Sequence, residues 1–156
     1  MTIALRLRNY LERQGIGYDE MTHPRTETSS GTAKAAHVPG RFMAKSVVVH
    51  HELGYALAVV PSSNRVELET LQELLGKRLG LAAENEIAKV FDDCDLGAIP
   101  PIGAAYGVPV VVEESLVNAP DVYFEGGDHA TLVHVTGEAF RKLMNDGRKA
   151  RFSHPA

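Results

Sequence analysis

The chain has 156 residues, 44% of them hydrophobic and 23% charged, which fits one soluble domain with one sizeable core. Its formal net charge of −4 argues against a protein that coats nucleic acid non-specifically, because such binding needs many Lys and Arg contacts to phosphate. No apolar run approaches the ~18 residues of a membrane span, and a single cysteine, Cys94, excludes an intramolecular disulfide and fits a reducing cytoplasm.

In chain order, Ile3, Leu7, Tyr10 and Leu11 fall at helical spacing, and Gly15 supplies a stop, so a helix is predicted over Ile3 to Arg13. The charges scattered through this segment leave no apolar core for a secretory signal. Gly17 to Met21 reads as an edge strand that ends at the His23-Pro24 turn. One of the hydroxyls Thr26, Thr28, Ser29 or Ser30 caps a short helix over Thr32 to His37. Ala44 to His50 and Tyr55 to Val60 read as strands of a hairpin joined through Glu52-Leu53-Gly54. Thr70 is placed as the cap of a helix over Leu71 to Leu79, and a further helix is predicted over Ala83 to Phe91. Gly97 opens a proline loop. Val108 to Glu113 is an apolar strand, Asp121 to Phe124 and Thr131 to Val135 bracket a Gly-Gly turn, and Thr136 or Gly137 opens a last helix through Met144. Hairpins outnumber crossovers in this order. That favours an α+β fold, one compact domain over residues 1–156 with a mixed or antiparallel sheet.

Three places could carry chemistry. Lys45 shares strand parity with Val47 and Val49, so it points inward if they do. A buried ammonium is costly unless something pairs with it. It is either a fixed cation for a carbonyl, phosphate or carboxylate, or a lysine that snorkels to water at the strand end. In Gly126-Gly127-Asp128-His129, the glycines permit positive φ and close approach of a ligand. Asp128 or His129 could hydrogen-bond a substrate, or Asp128 could simply close a turn on its own backbone. In Gly97-Ala98-Ile99-Pro100-Pro101-Ile102-Gly103, two prolines stiffen a loop whose exposed backbone groups could line a pocket, or which merely connects. Ser62-Ser63-Asn64 reads either as a pocket wall or as a turn. The seven histidines show no metal-ligand spacing, and there is no HExxH, CxxC or phosphate-loop pattern, so neither metal nor cofactor is expected. Cys94 lies among Asp92, Asp93 and Asp95, which suppress its thiolate. Arg and Lys residues cluster in the first half and again from Arg141 to Arg151, as a local basic patch or as a solvated surface.

Taken together and in this order, AKSVVV, GAIPPIG and FEGGDHATLVHVTG resemble the YbaK/prolyl-tRNA synthetase-associated domain family. The resemblance covers nearly the whole chain. It implies a compact α+β fold around a strongly curved mixed sheet flanked by helices, and hydrolysis of mischarged aminoacyl-tRNA in trans in the cytoplasm. The implied partners are the acceptor end of aminoacyl-tRNA and an aminoacyl-tRNA synthetase, without DNA or membrane. By resemblance, Lys45 is the key lysine of the pocket, and Gly97 and Pro101 end the loop that holds the substrate carbonyl. Gly127, Asp128 and His129 lie at the pocket edge, and His23 and Thr26 match a histidine–threonine segment of the family. In the family the terminal ribose hydroxyl helps position the attacking water. Lys45 is therefore expected to orient the substrate rather than to act as general base, with backbone N–H groups of the Gly97 loop polarising the ester. Ser46, Ile99, Ile102 and His129 are candidates for the wall that sorts the amino acid by size and polarity. Ser46 departs from the asparagine expected of an alanine-clearing member. The alternative is a non-catalytic module of the same fold that binds aminoacyl-tRNA or a synthetase.

Overall fold

The computed structural model describes residues 3–156. Six helices are named α1 (Leu5–Arg13), α2 (Ser29–Ala35), α3 (Leu68–Leu75), α4 (Glu84–Val90), α5 (Glu114–Val117) and α6 (Gly137–Leu143). The strands are β1 (Asp19–Thr22), β2 (Met43–His51), β3 (Gly54–Pro61), β4 (Asn64–Val66), β5 (Gly80–Leu81), β6 (Val110–Glu113), β7 (Asp121–Glu125), β8 (Thr131–Thr136), β9 (Arg148–Ala150) and β10 (Ser153–Pro155). One mixed sheet runs β1-β8-β7-β2-β3-β6-β9, with β5 added to β2, and β10 and β4 pair separately. The α+β expectation holds. Three parallel pairings, β2–β7, β3–β6 and β6–β9, bring in the crossovers that the local hairpin pattern does not reveal.

Alternation along β2 and β3 sends side chains to two cores. Ala44, Val48, Leu57 and Val59 join the larger one with Leu7, Leu11, Phe91, Phe124 and Phe140. Val49, Ala56, Ala58 and Val60 face a second core closed by Leu71 of α3 and by Phe152. The predicted helix over Leu71 to Leu79 is shifted. It begins at Leu68, so Thr70 lies inside it, and Gly76 ends it in the left-handed region at φ 63°. Leu68, Leu74 and Leu75 pack against the second core, which sets the helix start without a side-chain cap. α2 starts three residues before its predicted first residue, with Thr28 Oγ1 capping Gly31 N at 3.0 Å. Val108 and Pro109 precede β6, which starts at Val110.

The β1 edge is fastened by His134 of β8. Its Nδ1 lies 3.0 Å from Asp19 and its Nε2 2.8 Å from Asp121, and its ring stacks on Tyr123. Burial pulls the imidazolium down, but the hydrogen bonds to Asp121 and Asp19 outweigh it and hold His134 above its ordinary value. Both nitrogens donate only in the charged ring. The stabilisation is therefore fully present below the unfolded histidine value of about 6.5 and is lost as pH rises through the folded value. The thermal midpoint of His134→Gln should lie below wild type in mildly acidic buffer and converge with it as the pH is raised; a constant gap at all pH would contradict this.

Candidate active site

β2 and β7 run parallel but share only two register pairs, Met43 with Tyr123 and Ala44 with Phe124. One step further the register would set Lys45 beside Glu125, yet the pairing stops there. The edge of β2 is next covered at Val48 and Val49, by Ala82 and by Leu81 of β5. Lys45 and Ser46 are thus the first residues past the point where two parallel strands part, and the Gly-Gly turn leaves the same end of β7. The opening thus lies at the carboxyl end of β7 and near the start of β2.

Lys45 is half-buried and forms no hydrogen bond or ion pair among the described residues. Burial first, and then the charge of Arg65, hold its ammonium below the ordinary lysine value. Ser46 points to the opposite face of β2, the face of Ala44 and Val48 in the larger core, which also holds Ile99 and Ile102. Its Oγ is buried and has no hydrogen-bond partner.

The proline loop is fastened to the Gly-Gly turn. His129 is 2% exposed, and its Nε2 donates to the Leu96 carbonyl at 2.7 Å, leaving Nδ1 as a buried acceptor without a partner. Gly97 follows at φ +84°, and a Cβ there would sit 3.1 Å from His129 Cε1 and 3.1 Å from the Glu27 carbonyl. Thr26 N donates to the His129 carbonyl at 3.2 Å. Gly97, His129, Thr26 and Glu27 therefore form one cluster. From Ala98 to Gly103 the loop is buried rather than exposed, because Ala98, Ile99 and Ile102 are core residues, so Gly97 alone presents backbone at the surface. Pro101 is buried within this stretch. Gly97→Ala should cost about 1–3 kcal/mol from the positive φ and the two close contacts. Denaturant unfolding should show it as a lower midpoint at unchanged slope.

Other site candidates are occupied internally. Both Asp128 oxygens accept, from Ala130 N, Thr131 N and Thr131 Oγ1, and close the turn. The glycines of the turn admit the start of the N-terminal helix: a Cβ on Gly127, at φ +115°, would meet Ala4 Cβ at 2.8 Å, and Ala4 N donates to the Gly126 carbonyl at 2.7 Å. His23, 5% exposed, pairs its Nε2 with Glu125 Oε1 at 3.0 Å; Thr32 Oγ1 donates to Glu125 Oε2 at 3.1 Å and lies against Thr26 Oγ1. Glu125 is the main residue that sequence reasoning missed. The sequence pattern ends the strand at Phe124, and a lone acid before two glycines gives no sign that it is buried. Cys94 is unreactive for a stronger reason than its acidic neighbours. Burial, with the Asp93 and Asp95 charges adding and a Tyr106 hydrogen bond opposing, pushes its thiol up to about 12.

The sequence profile described as "Aminoacyl-tRNA editing domain" matches residues 23–143, a span that holds every candidate residue above. Solved structures share the architecture. A scaffold protein from work on epitope backbone grafting by computational design is 27% identical, with a TM-score of 0.85 and 97% of each chain covered. A proposed trans-editing enzyme for prolyl tRNA synthetase is 26% identical, with a TM-score of 0.84, covering 96% of this chain and 95% of that one. A hypothetical protein, 22% identical with a TM-score of 0.84 over 96% of this chain and 99% of the other, speaks to the fold alone. No curated protein matches the sequence.

Proposed function

The chain belongs to the aminoacyl-tRNA editing domain family, and on that premise we propose that it hydrolyses the ester of mischarged aminoacyl-tRNA in trans, with Lys45 as the residue that binds and orients the acceptor end. The observation that carries this reading is the unpaired, half-buried ammonium of Lys45 at the parting of β2 and β7. A cation kept short of water and without a carboxylate is poised for an anionic or strongly polar ligand.

Water attacks the ester carbonyl, the bond to the ribose oxygen breaks, one water proton goes to that oxygen to make the hydroxyl, and the amino acid leaves as a carboxylate with the second proton released to solvent. The ester is already activated, so the protein needs to position water and substrate and to stabilise the oxyanion. The Gly97–Pro101 loop supplies backbone N–H near the carbonyl, and only Gly97 of that loop lies open. The neighbouring ribose hydroxyl of the tRNA helps place the water. Gly127 and His129 border the pocket. His23, Thr26 and Asp128 hold that border in place through the bonds given above. Ser46 and Ile99 form the wall toward the amino-acid side chain, with the fully buried Ile102 packed behind them. The orphaned Ser46 Oγ and His129 Nδ1 favour such a wall, because buried polar atoms left without partners are rare outside functional sites. An aminoacyl-tRNA synthetase is the natural second partner, since it produces the substrate.

The experiment is release of labelled amino acid from Ala-, Ser-, Thr- and Cys-charged tRNA-Pro. Turnover of at least one of these above the uncatalysed rate supports the reading; none would end it.

A further inference from the structure

We infer that Lys45 and Arg65 together form a subsite for a single phosphodiester group, the one that joins the aminoacylated terminal nucleoside to the rest of the tRNA. The inference rests on the editing reading and adds to it a second cation and a specific ligand group.

The connection from β3 to β4 carries the two residues to one end of the hairpin. Lys45 pairs with Val60, the second-last residue of β3. After Pro61 the chain reverses through Ser62 and Ser63 and returns as β4, which places Arg65 beside the same end of the hairpin. Ser62 locks this reversal, donating its backbone N–H to the Met43 carbonyl at 2.7 Å and its Oγ to the Gly40 carbonyl at 3.1 Å. Val66 packs toward the second core, so Arg65, its neighbour of opposite parity, stays exposed.

Neither cation has an anionic partner among the described residues, in a chain that carries more acids than bases. The nearest carboxylate in sequence, Glu67, is turned to His154 at 3.5 Å. Arg65 is close enough for its charge to reach the Lys45 ammonium. Like charges held together without a counter-ion cost stability, and such costs concentrate where a ligand repays them. One phosphate oxygen can take the lysine as a point charge while the guanidinium grips others in its fork. With the terminal phosphate fixed there, the ester beyond it is presented to the opening between β2 and β7.

The test compares two small esters: 3′-O-aminoacyl-adenosine and the same compound carrying a 5′-phosphate. The ratio of their kcat/KM values reads the subsite directly. Wild type should prefer the phosphorylated ester, and Arg65→Gln should reduce that preference roughly tenfold, the size of one charge-assisted hydrogen bond. Arg65→Lys should restore only part of it, since the charge returns without the fork, and on full tRNA the Arg65→Gln variant should lower the salt slope of log KM by about one. An unchanged ratio in Arg65→Gln, or no preference in wild type, overturns the inference. If wild type hydrolyses neither ester nor any charged tRNA, the editing reading falls separately. Calorimetric binding of AMP against adenosine then decides the subsite: a preference for AMP that Arg65→Gln abolishes upholds it, and equal binding of the two rejects it.

Discussion

Lys45→Ala should lower kcat/KM for deacylation by about 10²–10³-fold, the loss typical of removing one preorganised group that stabilises developing charge. The fold should survive the change. Lys45 donates no hydrogen bond, forms no ion pair among the described residues and carries a desolvation cost, so its removal leaves no partner stranded. Its thermal midpoint should therefore match wild type or exceed it. That pairing of outcomes, activity lost and stability kept, separates a functional lysine from a structural one. Lys45→Arg should recover little, because a planar fork does not replace a compact ammonium at a half-buried position.

The second large effect is on stability. Glu125→Ala should cost about 3 kcal/mol, the upper end of the range for leaving a buried hydrogen-bonding group unsatisfied. Glu125 is 2% exposed, and its loss strands Nε2 of the His23 ring, 5% exposed, while the Thr32 hydroxyl that also bonds it keeps the Thr28 carbonyl and Thr26 Oγ1 as partners. These bonds tie β7 to the segment that leads into α2, so chemical unfolding should show a lower midpoint, and His23→Ala should cost less than additively in combination. Burial raises the Glu125 carboxyl above the ordinary carboxylate range, against the opposing pull of the bonds from His23 and Thr32. The folded state thus holds this proton more tightly than the unfolded one. The associated stability is present below the unfolded carboxylate value and is lost as pH rises through the folded one. A Glu125→Gln variant, which cannot ionise, should lack this component; a wild-type pH profile identical to that of Glu125→Gln would refute the assignment.

Much of the site was legible because its signals are local. The parity of Lys45 with Val47 and Val49 placed it on one face of β2, and the Val-rich runs on either side of Glu52-Leu53-Gly54 gave the hairpin, though Gly54 already pairs with His51 inside it. The Gly-Gly turn was correctly set between β7 and β8, but its glycines answer to Ile3 and Ala4, residues more than a hundred positions away in sequence. Long-range information of that kind has no local trace. The same holds for the parallel partnership of β3 with β6, for the short strands β9 and β10, and for Glu125, whose burial is explained only by His23 and Thr32 across the fold. The helix over Leu68 to Leu75 was misplaced because a capping threonine is a weak signal beside the demand to bury Leu68 and Leu71. Arg65 went unnoticed for a similar reason: an exposed arginine in a short strand gains meaning only once β4 is seen to lie against the end of β3.

The most direct test of the account is single-turnover deacylation of the charged tRNA-Pro panel by wild type and Lys45→Ala, run side by side with tRNA binding measured on both. The account predicts rapid hydrolysis of at least one mischarged species by wild type and its near abolition in the variant. Tight binding of tRNA by wild type with no hydrolysis of any species would contradict it and would leave a binding module of the same fold.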